Sequence, residues 1–365
     1  MGGSAEISGL DEINCTPLSE ATVWPDAGPP AVVAHGGGFI VAAYAPEDEG
    51  ETLFVARVAA GEGAVPIART AVEPPLRGTR WAGPGLLSVD GRVWVARVDG
   101  AGHLGVAWVE PGRPGTPLRF DEVGKGADAR FRPALARFSD AMALAWVDGT
   151  GTPMRAKVTR LSPSGRRLAT HDVTLESMGG AAPVFAAGSD PPVLVLLDPR
   201  SGMSPVVRVP MKADGSPRTG EVVLTVGQAA SPPDLAAAAH PEGIAVGYTA
   251  VGSGATTAVG LVELQAPTRA ATALVKGTGY GRLAVAATTL EGGSLFVAEA
   301  PTARGRDAPR TLHVRVVRDG EPGPPLEVGA GHATAVHPAV ARIGNTVAVA
   351  YATRDDVRVA FLRCG

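Results

Sequence analysis

Residues 133–175, PALARFSDAMALAWVDGTGTPMRAKVTRLSPSGRRLATHDVTL, hold four short apolar runs separated by turn-forming residues. The runs are rich in Val, Leu, Ala and Trp, and the breaks carry Gly, Asp, Ser or Pro, which is the pattern of strands joined by tight turns. A four-stranded sheet with apolar residues on both faces cannot bury them alone and has to lean on neighbours. Neighbours are present, because similar units begin near Pro30, Pro84, Pro183, Pro233, Leu283 and Pro338, at a spacing of roughly fifty residues.

The unit at Pro30 runs PAVVA, a HGGG turn, FIVAAYA, the polar loop PEDEGE, TLFVARVA and VPIARTAV. The unit at Pro84 repeats the order as GPGLLS, VDGR, VWVARV, DGAGH, LGVAWVE and TPLRFDEV, and the sixth carries the longest insertion, Pro301 to Arg310. The expected fold is all-β: a seven-bladed β-propeller of four-stranded antiparallel blades, with residues 1–11 as a tail and residues 12–365 as one domain. Ala-rich first strands such as Ala236 to Ala239 suit the crowded axis. Phe39, Tyr44, Trp94, Trp146, Tyr248, Phe296 and Tyr351 lie in second strands and are expected to fill the space between blades.

The last unit, PAVARIG, NTVAVAYA and VRVAFLR, has three strands, and residues 12–24, EINCTPLSEATVW, form a strand with no sheet of their own. Pairing the two would complete the last blade and close the ring. It would also bring together the two cysteines, Cys15 and Cys364, where a disulfide would stand in for the missing turn; two free thiols are the alternative. A disulfide implies an oxidising compartment, so the expected location is periplasmic, cell-surface or secreted.

Hydrophobic residues make up 45% of the 365 and charged residues 19%, enough apolar material for a core. The net charge of −3 gives no general attraction to nucleic acid or an anionic membrane. No apolar run approaches the roughly 20 residues of a membrane helix. Met1-Gly2-Gly3-Ser4 has neither the charged nor the apolar region of a signal peptide, which leaves a lipid anchor to a native N-terminus upstream.

The order Pro-Ala-Leu-Ala at 133–136, a turn, Trp146-Val147-Asp148, and then Arg160-x-Ser-x-x-Gly165 resembles the propeller repeats of secreted bacterial proteins, many of them surface lipoproteins of unassigned function. That resemblance implies a propeller and export, and no reaction. A second resemblance is to sialidases, in which an Arg before a Pro at an inner strand binds the substrate carboxylate; Phe131-Arg132-Pro133 looks like that motif. The Ser-x-Asp-x-Gly-x-Thr-Trp boxes of that superfamily are missing, and it has six blades.

In a propeller, the loops leading into each inner strand and those between second and third strands open on one face, around the channel. Here they offer Arg80 and Trp81, Arg132, Tyr280 and Arg282, with Asp148 and Asp198 from the second set; these seven are the candidate ligand-binding residues. The arginines suit an anionic group; the opposing view is that they pair with the equally numerous acidic loop residues. His332 and His337 bracket one loop and would need a third ligand such as Asp355 to hold a metal, so no metal site is expected. Gly36-Gly37-Gly38 and Gly279 to Gly281 fall in turns that lead into no helix, and no Gly-x-Ser-x-Gly elbow occurs, so no cofactor is expected. The leading function is a non-enzymatic binding or scaffold protein, a monomer with a protein or glycan partner; the alternative is a carbohydrate-active hydrolase or lyase with Asp148 and Asp198 as its carboxylates.

Overall fold

The structure is a computed structural model that describes residues 14–47, 50–76, 82–115, 118–151, 154–173, 183–197, 204–226, 234–241, 243–251, 255–262, 272–276, 283–303, 308–318, 321–332 and 334–365. All its regular elements among these are strands, arranged as an all-β propeller. They form seven separate antiparallel sheets, in which successive strands of the chain are hydrogen-bonded neighbours except that Cys15–Pro25 joins the last sheet and Leu326–Val328 pairs back with Arg310–Arg318.

The strands follow from local sequence. Met142–Asp148 is buried on both faces except at its terminal Asp, as a middle strand flanked by a sheet on either side must be. Tight hairpins need left-handed backbone, and Asp90 and Gly91, with φ of 51° and 74°, supply it between Gly85–Val89 and Arg92–Val98. The outer strands of the first five sheets carry a one-residue register shift, as does Cys15–Pro25, opposite Val55/Ala56, Leu104/Gly105, Arg160/Leu161, Val206/Val207, Thr257/Ala258 and at Pro17/Ser19. Bulges of this kind twist an exposed edge away from pairing with another chain.

Two outer strands differ from the sequence expectation. In the second sheet the fourth strand is Asp121–Lys125, since Phe120 turns aside to pack on Gly105 and under the Arg97 guanidinium, 4.2 Å from its ring centre. In the sixth it is split into Glu321–Pro322 and Leu326–Val328, because Pro324 and Pro325 have no N–H to give to the ladder.

The inner strands Ala31–His35, Gly85–Val89, Ala134–Arg137, Val184–Phe185, Leu235–His240, Val285–Leu290 and Val336–Ile343 touch in that order, and the last touches the first. Each pair of neighbouring sheets shares one apolar cluster. Phe39 and Phe361 lie between the seventh sheet and the first, Trp94 and Trp146 between the second and third, and Phe296 between the fifth and sixth. All seven second-strand aromatics are at most 4% exposed, in line with the expectation that they fill this space.

At the second inner strand, backbones approach too closely for a side chain at two positions. A Cβ on Gly83 would lie 2.3 Å from the Pro29 carbonyl oxygen, and one on Gly85 2.2 Å from that of Pro133. The second unit begins Gly83-Pro84-Gly85 because its backbone is wedged between those of the first and third.

Cys15–Pro25 pairs antiparallel with Asp356–Cys364 along its whole length, with Cys15 directly opposite Cys364. The two cysteines form the expected disulfide, with Cα atoms 4.1 Å apart and 349 positions apart in sequence. Trp24 stacks on Phe54 of the first sheet at 3.8 Å, so the N-terminal strand touches two sheets.

Linking positions so distant in sequence restricts the unfolded chain strongly, and Cys15→Ser is expected to lower unfolding stability by about 3–5 kcal/mol in urea titrations, with reductant giving the same loss in the parent chain. Gly85→Ala forces backbone apart at the axis and is expected to cost about 1–3 kcal/mol in the same assay, whereas Gly61→Ala, where a Cβ meets nothing, loses only the smaller left-handed backbone penalty.

Candidate functional site

The seven inner strands enclose a cavity of about 270 Å³ at the end where they begin. Its wall is small and apolar, including Ala31, Val32, Ala236, Ala286 and Val340, as crowding at the axis requires. Among the described residues its polar side chains are Arg130, Arg132, Asp234 and His337.

Arg132 is half-buried and sends Nη2 across the second unit to donate to the Pro30 carbonyl at 2.7 Å. Gly83 lets it pass, since a Cβ there would lie 3.2 Å from that nitrogen. Arg130 is held by Asp128, with Nη2 and Nε donating at 2.6 and 3.0 Å, and the Arg130 N–H donates to the same carboxylate at 2.9 Å. Phe131, between them, is buried beneath the rim.

Asp148, at the end of its strand, accepts from the Thr150 hydroxyl and amide at 2.6 and 2.9 Å and pairs with Lys157 at 2.7 Å. Burial pushes its carboxyl up, but Lys157 and Thr150 outweigh this and hold it below the usual carboxylate range. Asp148 is thus a brace for its own loop. Arg80, Trp81, Asp198, Tyr280 and Arg282 lie outside the described residues, so of the seven candidates the structure places Arg132 in the cavity wall and Asp148 in an ion pair.

The other chemistry-bearing loop residues are spent locally. Asp99 is buried, caps the Ala101 and His103 amides at 2.9 Å each, and pairs with the His103 ring at 3.0 Å. His332 bonds Glu20 on the N-terminal strand at 3.0 Å; Glu20 also accepts from Arg358 at 2.8 Å, and Arg358 pairs with Asp356 at 2.9 Å. His332 therefore does not join His337 and Asp355, and among the described residues no three His, Cys, Asp or Glu side chains are grouped to hold a metal.

Two residues at the mouth escape a sequence reading. Asp234 opens the fifth inner strand and accepts from the Leu235 and Val285 amides at 3.2 and 3.3 Å, bridging two sheets. Glu299 is 1% exposed, pairs with Arg310, and accepts the backbone N–H of His337 at 2.7 Å. Burial pushes the Glu299 carboxyl up, against Arg310 and the amides that favour its charged form. The available signal was a lone Glu in the apolar run Ser294 to Ala300, followed by Arg310.

No protein family and no curated protein matches the sequence. Among solved structures, the chain is similar to AofleA from Arthrobotrys oligospora, with a TM-score of 0.53 and 10% identity over 87% of this chain and 90% of that one. It is also similar to a subtype N11 neuraminidase-like protein of a flat-faced bat isolate, with a TM-score of 0.49 and 9% identity over 96% and 94% of the two chains. A mutant of NanB sialidase from Streptococcus pneumoniae gives a TM-score of 0.49 at 10% identity over 93% of this chain and 68% of that one. At such identities the shared feature is the β-propeller fold.

Burial pushes Glu20 and Asp356 up, but Arg358, with His332 and Thr353, holds both below the ordinary carboxylate range. A carboxyl depressed in the folded state stabilises above its unfolded pKa, and that contribution is lost as pH falls through the folded value. Stability is therefore expected to drop as the pH falls below about 4, and Arg358→Ala, which removes the shared cation, is expected to flatten that part of a stability–pH curve measured by denaturant titration.

Proposed function

We propose that the chain is a binding propeller whose seven sheets are the seven blades of one closed ring, and that it takes up a compact polar group of a protein or glycan partner at the channel mouth. The observation that carries this reading is the state of three described carboxylates, Asp234 in the cavity wall and Asp128 and Asp148 in the loops beside the third inner strand. Asp128 is forked by Arg130, Asp148 is held by Lys157 and Thr150, and Asp234 is tied to two amides. Glycoside hydrolysis needs two carboxyls facing the scissile bond across a defined gap, and these three are braces. The small apolar wall with a few polar rim groups is the composition of a binding pocket. The Cys15–Cys364 disulfide supports function in an oxidising compartment, which favours an exported protein acting at a cell surface, in a periplasm or outside the cell.

The alternative, a sialidase-like hydrolase or lyase, rests on Arg132 before Pro133 in the cavity wall. A glycan array and a panel of chromogenic aryl glycosides, sialosides included, separate the two. The expected outcome is saturable binding with no release of the chromophore above a heat-denatured control. Turnover proportional to protein concentration would establish the hydrolase and overturn the binding reading.

A further inference from the structure

Each unit has one residue just before the Pro or Leu that opens its inner strand, at the edge of the channel. Among the described residues these are Pro29, Gly83, Arg132 and His337, and only the last two carry long polar side chains. Arg132 is drawn over Gly83 to the Pro30 carbonyl. His337 is exposed in the cavity wall.

Its backbone is in an unfavourable state. His337 has a φ of 54°, in the left-handed region that glycine prefers, and it precedes Pro338, which disfavours helical backbone in the residue before it. The inner strand slips register there, between Val336 and Ala339. Such a bulge re-aims a side chain, and strain of this kind persists only where the surroundings impose it.

The surroundings do so from the neighbouring sheet. Glu299, almost fully buried, uses one carboxylate oxygen for the His337 N–H at 2.7 Å and the other for Arg310, and the Arg310 carbonyl accepts the Ala335 N–H at 2.8 Å. A buried ion pair is costly to assemble, and here it holds the chain at Ala335, before the bulge, and at His337, within it. If the bulge only joined two strands, Gly would meet the same backbone requirement without strain.

We infer that His337 is the ligand-reading side chain of the channel mouth, held in place by the buried Glu299–Arg310 pair, and that the group it reads is a single sugar ring. This rests on the binding reading above and narrows it. A sugar ring offers an apolar face to the Ala and Val wall and hydroxyls that both donate and accept. Among the described rim residues, the Arg132 guanidinium is a donor and the His337 imidazole a donor or an acceptor. The volume of about 270 Å³ suits one ring and excludes a folded peptide element.

The test uses the full chain and a panel of methyl glycosides in calorimetric titrations, with thermal unfolding and aryl-glycoside turnover measured in parallel. The parent chain is expected to bind at least one sugar. His337→Gly is expected to lose at least tenfold in affinity while its Tm stays within about 2 °C of the parent or rises, since Gly relieves the backbone strain. Glu299→Gln, which keeps an acceptor for the His337 N–H, is expected to retain more affinity than Glu299→Ala. Unchanged sugar affinity in His337→Gly, or a collapse of its Tm, would overturn the role of His337 while leaving the binding reading intact. A parent chain that binds a protein ligand but no sugar overturns the sugar assignment alone. Turnover without stable binding overturns the reading on which both rest.

Discussion

The structure depends on the pairing of its two ends. Every sheet is apolar on both faces and depends on its neighbours to cover them. The last sheet obtains its outer strand from Cys15–Pro25, which pairs with Asp356–Cys364 from end to end, with register shifts at Pro17/Ser19 and Thr22/Trp24, and is tied at Cys15 and Cys364. The same strand reaches the first sheet through Trp24 on Phe54. One local ladder thus holds together two of the interfaces on which the apolar clusters depend.

Crowding at the axis governs everything inside that ring. Backbones of neighbouring inner strands approach so closely that Gly83 and Gly85 have no space for a methyl group. The cavity wall is accordingly made of small residues, and long polar side chains appear only where an inner strand begins. Among the described residues, the polar side chains of the cavity wall stand where inner strands begin, and the inter-sheet spaces are filled by aromatic and aliphatic side chains.

On the rim most charges brace loops. Asp128 with Arg130, Asp148 with Lys157, Asp99 with His103, and Glu20 with His332 and Arg358 each fix a connection between strands. Surface pairs of this kind add little stability singly, and their effect is to keep the rim in one shape. Glu299 differs in spending its charge on the backbone of a strained residue of the neighbouring sheet.

The sequence alone determined the repeat and most of the strands, and pointed to the disulfide. Alternating apolar runs and turns such as Asp90-Gly91 are local, and a fourth strand missing at one end and spare at the other is a matter of counting. The interrupted outer strand at Pro324 and Pro325 was also local in cause, though the chain's apolar pattern hid it. What only the tertiary structure decided is which charged residues meet. Arg132 reaches a carbonyl far away in sequence, Asp234 joins two sheets, and Glu299 grips His337 from the neighbouring sheet. Side-chain pairing across the ring follows from distances between loops that carry no common sequence signal, so the strand pattern was legible and the rim was not.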